Sequence, residues 1–198
     1  MSKLQINALR FHDLGPFDLT VQPNECLVLS GPSGAGKSLM LRAIADLDPN
    51  EGFISLDQKD RLSFTPTEWR KKVALLPAES AWWYDTVGEH FTQVEPLLFA
   101  KLGFDLAILK RQINGLSTGE RQRLALLRLL VNKPTILLLD ETTANLDNEN
   151  THYIEELINI YKQQEQAAII WISHNKEQIA RIANQHFVLK NSTLKQVK

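Results

Sequence analysis

The chain has 198 residues, 43% apolar and 23% charged. That composition excludes collagen-like, disordered and highly charged classes, and the length suits one domain with its own core. A formal net charge of -1 removes the footprint of a nonspecific nucleic-acid or acidic-membrane binder, while a local basic patch stays open. Cys26 is the only cysteine, so no disulfide framework is expected and it reads as a small buried hydrophobe.

Residues 1–10 lack the basic-then-apolar order of a secretory signal, so export is not expected. The longest apolar stretches, such as 136–139 and 167–172, fall far short of the ~20 residues of a membrane-spanning helix. A membrane role therefore requires a partner chain. Residues 27–30 read as a buried strand that runs into a glycine loop, and Leu39, Leu41, Ile44 and Ala45 follow at helical spacing. Further apolar runs of strand length occupy 73–76, 135–139, 168–172 and 187–189. Most are nearly unbroken, as a sheet covered on both faces requires, so the pattern predicts an α/β layered domain around a central sheet.

Between residues 76 and 116 the pattern turns helical. Val87, Phe91, Val94 and Leu98 recur at three- and four-residue spacing, with a second such stretch at 106–113, which predicts a small helical insertion over about 79–116. Ile154, Leu157, Ile158 and Tyr161 form an apolar helical stripe, and Glu155, Glu156, Lys162 and Gln163 are expected on its outer face.

The glycine loop reads Gly31-Pro32-Ser33-Gly34-Ala35-Gly36-Lys37-Ser38 and matches G-x-x-x-x-G-K-S/T between a strand and a helix, the context that gives the motif its meaning. Its glycines let the backbone turn its N–H groups inward, and the helix start adds partial positive charge. Lys37 suits the β and γ phosphates of a nucleotide, and the Ser38 hydroxyl suits Mg²⁺. Downstream, the apolar run at 135–139 ends in Asp140-Glu141, which puts two carboxylates at the edge where α/β sheets bind ligands. Asp140 is expected to hold Mg²⁺ directly or through water, and Glu141 to orient and polarise an attacking water as general base. Ser117 and Glu120 have capping-box spacing at the start of another helix, whose exposed N–H groups form a second potential anion site.

Taken together these motifs resemble the ATPase subunit of an ATP-binding cassette (ABC) transporter. GPSGAGKS looks like its Walker A motif, LSTGE followed by RQR like its LSGGQ signature, and ILLLDE like Walker B. Ala144-Asn145-Leu146-Asp147 looks like the D-loop, and Trp171-Ile172-Ser173-His174 ends in what resembles the switch histidine. The resemblance runs over almost the whole chain. It implies a P-loop NTPase fold with a mostly parallel central sheet, a small N-terminal antiparallel β part and a helical insertion, all within one ABC ATPase domain over 1–198. It also implies ATP and Mg²⁺, with residues 31–38 and Leu39 on the nucleotide, and a head-to-tail homodimer. In that dimer Ser117 and Gly119 would reach the γ-phosphate across the interface, Asp147 would link the two sites, and His174 would contact the γ-phosphate and help hold the attacking water. A separate multi-span membrane permease and a place at the cytoplasmic face of the cell membrane are implied as well, with no direct contact to nucleic acid. The other histidines, His12, His90, His152 and His186, show no metal-ligand pattern and read as structural.

An aromatic residue after the first strand stacks on adenine in this family. Phe11 is the best placed, with His12 and Phe17 as alternatives. Two positions depart from the family pattern. Pro77-Ala78-Glu79 stands where the family has a glutamine that touches Mg²⁺; Ala78 has no group for a metal, which leaves Glu79, or Ser38, Asp140 and water. Thr118 replaces the first glycine of the signature pair, while Gly119 remains. Just beyond, Trp82, Trp83 and Tyr84 fall in a segment that in transporters faces the membrane subunit, so Trp82 or Trp83 is expected to contact that partner. Asp85-Thr86-Val87, LLLDETTANLD and the stretch 170–177 look most like Fet-type bacterial subunits associated with iron export. Nothing in an ATPase subunit reads the cargo. A soluble ABC ATPase acting on nucleic acid or ribosomes is the alternative, disfavoured by the near-neutral charge and the single cassette. A small-molecule P-loop kinase leaves the signature turn and His174 unexplained.

Overall fold

The computed structural model describes residues 3–144 and 146–197. Asn145, part of the expected D-loop, lies outside the described residues. A six-stranded sheet in the order β10-β9-β3-β8-β7-β6 forms the centre. Its strands are β3 (Cys26–Ser30), β6 (Val73–Leu76), β7 (Ile136–Asp140), β8 (Ala168–Ile172), β9 (Gln185–Lys190) and β10 (Thr193–Gln196). All neighbours pair in parallel except the edge strand β10, which is antiparallel to β9.

The apolar runs are unbroken because both faces of the sheet are covered. Leu27, Leu29, Ile136, Leu138, Ile170 and Ile172 join one hydrophobic cluster, and their alternates Cys26, Val28, Leu137, Leu139, Ile169 and Trp171 join the other. The first cluster is completed by α1 (Lys37–Ile44) and by an antiparallel sheet in the order β2-β1-β4-β5. That sheet contains β1 (Leu4–Phe11), β2 (Leu14–Val21), β4 (Glu51–Leu56) and β5 (Lys59–Asp60). The second cluster is completed by α4 (Thr118–Leu130), α5 (Asn148–Gln164) and the segment before α4. The short helices α2 (Pro66–Lys72), α3 (Pro96–Lys101) and α6 (Lys176–Ile182) complete the fold.

Two helical expectations need correction. The small helical insertion expected over residues 79–116 holds one short α-helix, α3, and three 3-10 turns, so the apolar spacing read there is not that of one continuous helix. Val87 and Phe99 are buried, but Val94 is exposed in the loop before Pro96, so the spacing from Val87 to Leu98 is not one helical face. Local pairing closes the segment instead. The Val87 N–H donates to the Arg111 carbonyl at 3.0 Å and the Ile113 N–H to the Asp85 carbonyl at 2.9 Å. Second, α5 buries Ile154, Leu157, Ile158 and Tyr161 as expected, but it buries Glu155 too. The Arg181 guanidinium of α6 donates to both Glu155 carboxylate oxygens, at 2.9 and 2.8 Å, and so offsets the cost of burying that charge.

Candidate functional site

The loop between β3 and α1 is shaped by backbone conformations that side chains resist. Gly31, Gly34 and Gly36 have φ of 144°, 76° and 97°, and a Cβ on Gly31 would stand 2.1 Å from the Leu189 carbonyl oxygen. Gly36 caps α1 without a side-chain acceptor, so the first N–H groups of that helix stay open to an anion. Pro32, Ser33 and Gly34 are exposed at the rim, with Ala35 half-buried, while Ser38 and Leu39 lie exposed on the first turn of α1. Lys37 is buried, and its Nζ donates to the Gly31 and Pro32 carbonyls at 3.0 Å each, bridging the mouth of its own loop. Burial holds the Lys37 ammonium below the ordinary lysine range, partly opposed by the negative charges of Glu141 and Asp140.

Those carboxylates arrive from the C-terminal end of β7. Asp140 is buried and accepts a hydrogen bond from the Ser38 hydroxyl. Burial is the main force raising its carboxyl above the usual carboxylate range; the Ser38 bond pulls down, the Glu141 charge up and Lys37 down again. A hydroxyl and a carboxylate already in contact are the hard oxygen donors that fit Mg²⁺. Glu141 sits at φ 48°, a left-handed turn that swings its side chain off the strand. Its Oε1 lies 3.2 Å from Nε2 of His174, and both side chains are open to solvent. The loops bearing this pair are tied from behind by buried Gln178. Its Nε2 donates to Thr143 Oγ1 at 2.9 Å and to Glu155 Oε1 at 3.1 Å, and its Oε1 accepts from Ser173 Oγ at 2.6 Å.

The capping box expected at the start of α4 is present. Ser117 N-caps α4, its Oγ accepting from the Glu120 N–H at 3.1 Å while Glu120 Oε2 accepts from the Ser117 N–H at 2.7 Å. Arg111 holds Glu120 with a 2.7 Å ion pair. Ser117 and Thr118 are exposed, so the tip of α4 points outward. Asp147, also exposed, N-caps α5, with its carboxylate occupied by the Asn150 N–H at 2.8 Å and the Asn150 Nδ2 at 2.9 and 2.8 Å. Asn150 in turn accepts from Arg123 of α4. The helix behind the signature turn and the cap of α5 are thereby joined through Arg123 and Asn150, two residues the motifs did not single out. Arg123 lies within the RQR run, but only the fold shows what it reaches.

Phe11, the residue expected to stack on adenine, is buried. Phe11 is 2% exposed, its ring centroid 5.7 Å from that of Phe17, which is equally buried. Leu14 lies over the same place, its Cδ1 2.3 Å from where a Cβ on Gly36 would stand. So deeply buried a ring leaves little surface for a base, whereas the alternative, His12, is exposed at φ 49°. At the first departure from the family pattern, Ala78 lines a small cavity with Glu141, Thr118 and Gln122, and Glu79 does not line it. Of the aromatic run, Trp82 packs half-buried on the core and Trp83 is exposed.

Among the described residues no helix is long and apolar enough to cross a membrane. The model of the family described as "ABC transporter" matches residues 14–144. An Escherichia coli protein named "Probable iron export ATP-binding protein FetA" is 31% identical over 179 residues, covering 84% of this chain and 80% of that one. The Bacillus subtilis "Putative ABC transporter ATP-binding protein YjkB" is 32% identical over 189 residues, covering 89% and 75%. "Thiamine import ATP-binding protein ThiQ" of Shigella sonnei is 32% identical over 194 residues, covering 90% and 82%. Among solved structures, a bacterial Atm1-family ABC exporter with ATP bound superposes with a TM-score of 0.85 at 25% identity. The match covers 98% of this chain but 38% of the exporter chain.

Proposed function

This chain belongs to the ABC transporter family of ATP-binding proteins and is an ATPase, and on that premise we propose that two copies close head to tail on ATP to drive a separate membrane subunit. The observation that carries the reading is the convergence, in one chain, of the Lys37 cradle, the Ser38–Asp140 pair and the Glu141–His174 pair, with the capped tip of α4 left outward. Each copy supplies half of a composite pocket. The α1 N–H groups and Lys37 take the β and γ phosphates from one side, and Ser117 and Gly119 of the second copy approach from the other.

Ser38 and Asp140 would hold Mg²⁺, which would supply Lewis-acid stabilisation of the phosphate charge. Glu141 orients a water against the terminal phosphate and accepts its proton, and His174, in contact with Glu141, holds that water in line. Closure keeps bulk water out, and product release lets the copies part. Asp147 is the natural link between the two pockets, because the cap that fixes it also reaches α4 through Asn150 and Arg123. The adenine meets His12 in place of Phe11.

Trp83, exposed beside the groove under β6, is the side chain offered to the membrane subunit, with Trp82 supporting it from the core. Through that subunit the chain sits peripherally at the cytoplasmic face of the cell membrane. Relatives named for iron export and for thiamine import have 31 and 32% identity, so the Fet-type reading of iron export belongs to the subunit that holds the cargo. The energy step belongs to this chain.

Glu141→Gln tests the assignment. With ATP and Mg²⁺ it should elute as a dimer on size exclusion, and without nucleotide as a monomer, with turnover lowered by about 100-fold or more. A variant that stays monomeric with ATP and hydrolyses it normally would refute both the base and the closed pair.

A further inference from the structure

The backbone ladder between β7 and β8 ends where Asp140 lies opposite Ile172. Glu141 is one residue beyond that rung and His174 two, so the 3.2 Å contact between their side chains is made past the end of the sheet. Strand pairing alone does not hold the two loops in register there. One side chain spans both: Gln178 of α6, 2% exposed, touches Thr143 in the loop after Glu141 and Ser173, the residue before His174.

The bonding of that amide admits one orientation. Ser173 Oγ accepts the Asn175 N–H at 3.2 Å and donates its own hydrogen to Gln178 Oε1 at 2.6 Å, so the residues on either side of His174 are both committed. Gln178 Nε2 gives one hydrogen to Thr143 Oγ1 at 2.9 Å and the other to Glu155 Oε1 at 3.1 Å. Thr143 Oγ1 also lies 3.3 Å from Gln178 Oε1. A carboxylate accepts and cannot donate, so Glu155 decides which end of the amide is nitrogen. Glu155 is fixed in turn by the fork of Arg181, at 2.9 and 2.8 Å. Thr143, Glu155, Ser173 and Gln178 are all buried, and a buried polar network with its donors and acceptors paired is stiff and costly to break.

We propose that Gln178 is a positioning residue for ATP hydrolysis. It holds Glu141 and His174 at the spacing in which the carboxylate takes the proton of the attacking water while the imidazole keeps that water in line, and Glu155 with Arg181 sets the direction of its amide. This rests on the roles given to Glu141 and His174 above. Buried behind the two loops, Gln178 acts through that pair and not on the phosphates, so its loss loosens the pair and leaves the Lys37 cradle and the tip of α4 in place.

Steady-state hydrolysis by the full chain is the test. Gln178→Leu should lower kcat by about 10- to 100-fold, the scale of displacing a reacting group by an ångström or less. KM for ATP should stay within about twofold, with the ATP-dependent dimer retained. Gln178→Glu, nearly identical in shape, should lose as much, because it sets a second carboxylate against Glu155. Adding Glu155→Gln should restore most of the lost rate, since an amide at position 155 can then donate to the carboxylate at 178. The cycle with His174→Ala separates positioning from general damage: once His174 is gone, Gln178→Leu should cost less than about threefold more in kcat, whereas independent damage would multiply the two losses. Unchanged kcat in a folded Gln178→Leu overturns the proposal, and so does full multiplication. If that variant does not fold, Thr143→Val decides in its place, because it cuts the tie to the loop of Glu141 alone, and full kcat in it overturns the proposal. Glu141→Gln and His174→Ala are measured beside these variants. If neither lowers kcat, the reading of the pair falls and the proposal with it; if both do and the Gln178 and Thr143 variants do not, the proposal alone falls.

Discussion

Leu146 presses on Gly119: its Cδ2 stands 3.0 Å from the place a Cβ on Gly119 would take. The residue before Asp147 thus packs against the signature turn of its own chain, and the small residue there sets how close the two loops come. Gly119 lies in the first turn of α4 without a positive φ, so alanine suits its backbone and favours the helix by up to about 1 kcal/mol. The added methyl must instead displace Leu146, and in the proposed dimer that shift falls at the face meeting the second copy. Gly119→Ala is expected to melt no lower than the parent and to bind ATP as a monomer, yet to need several-fold more ATP for dimerisation. Calorimetry and size exclusion at graded ATP read the two effects separately. An unaltered dimer would show that this face of α4 is not in the pocket.

His174 and Glu141 meet at 3.2 Å across the ends of β8 and β7, which makes His174 more than a bystander if Glu141 manages the water. His174→Ala should lower kcat by about 100-fold or more, the scale of one acid–base or water-holding group. KM for ATP should change by less than about threefold, because in the proposed complex the cradle around Lys37 supplies most of the phosphate contacts. Steady-state hydrolysis gives both numbers, and a KM effect without a kcat effect would move His174 from chemistry to binding.

What the chain displays in its residues and what it hides follow from where each contact comes from. The runs ending at Ser30, Asp140 and Ile172 are legible because strands covered on both faces need apolar residues at every position, and the loop glycines because only they tolerate those backbone angles. The N-terminal sheet is harder to read: β1 buries Leu4 and Ile6 and then Leu9 and Phe11, with a register shift at Ala8, φ 51°, that breaks the alternation. Phe11 follows the expected motif position in sequence, but its burial comes from the fold, where it pairs with Leu14 across a hairpin and packs on Phe17. Glu155 reads as solvent-facing by helical period, and only the return of Arg181 from α6 makes it an interior residue. His90 has no motif at all. Its role arises from a turn, at Trp83 and Tyr84, whose backbone N–H groups it satisfies.

Cys26 offers a check on the core that needs no nucleotide. Burial pushes its thiol up to about 12, slightly opposed by the positive charge of Lys162. At pH 8 that leaves about one molecule in ten thousand as thiolate, the reactive form. The native protein should therefore resist a disulfide reagent such as DTNB for hours and release one equivalent at once in denaturant. Rapid labelling of the native chain would mean that the start of β3 opens locally far more often than a buried strand should.

Asp140 ties stability to pH in the direction opposite to an ordinary salt-bridged carboxylate. Burial, the largest influence on it, raises its folded-state value above the unfolded one, despite the hydrogen bond from Ser38 and the charge of Lys37. Between the two values the folded chain holds more protons than the unfolded chain, so this residue's contribution to stability falls as pH rises through that window. Above the window both states are ionised and the fold carries the full cost of a buried charge. In magnesium- and nucleotide-free buffer, Asp140→Asn should therefore melt a few degrees above the parent at neutral pH. The gap should narrow as pH falls through the raised value and close near the unfolded value of about 4. The same substitution should abolish magnesium-dependent turnover, because it removes the carboxylate half of the Ser38–Asp140 pair. Melting curves across pH, read beside hydrolysis with and without Mg²⁺, separate the stability cost from the function it serves. A variant less stable than the parent at neutral pH would mean that the contacts of Asp140 with Ser38 and Lys37 outweigh its burial.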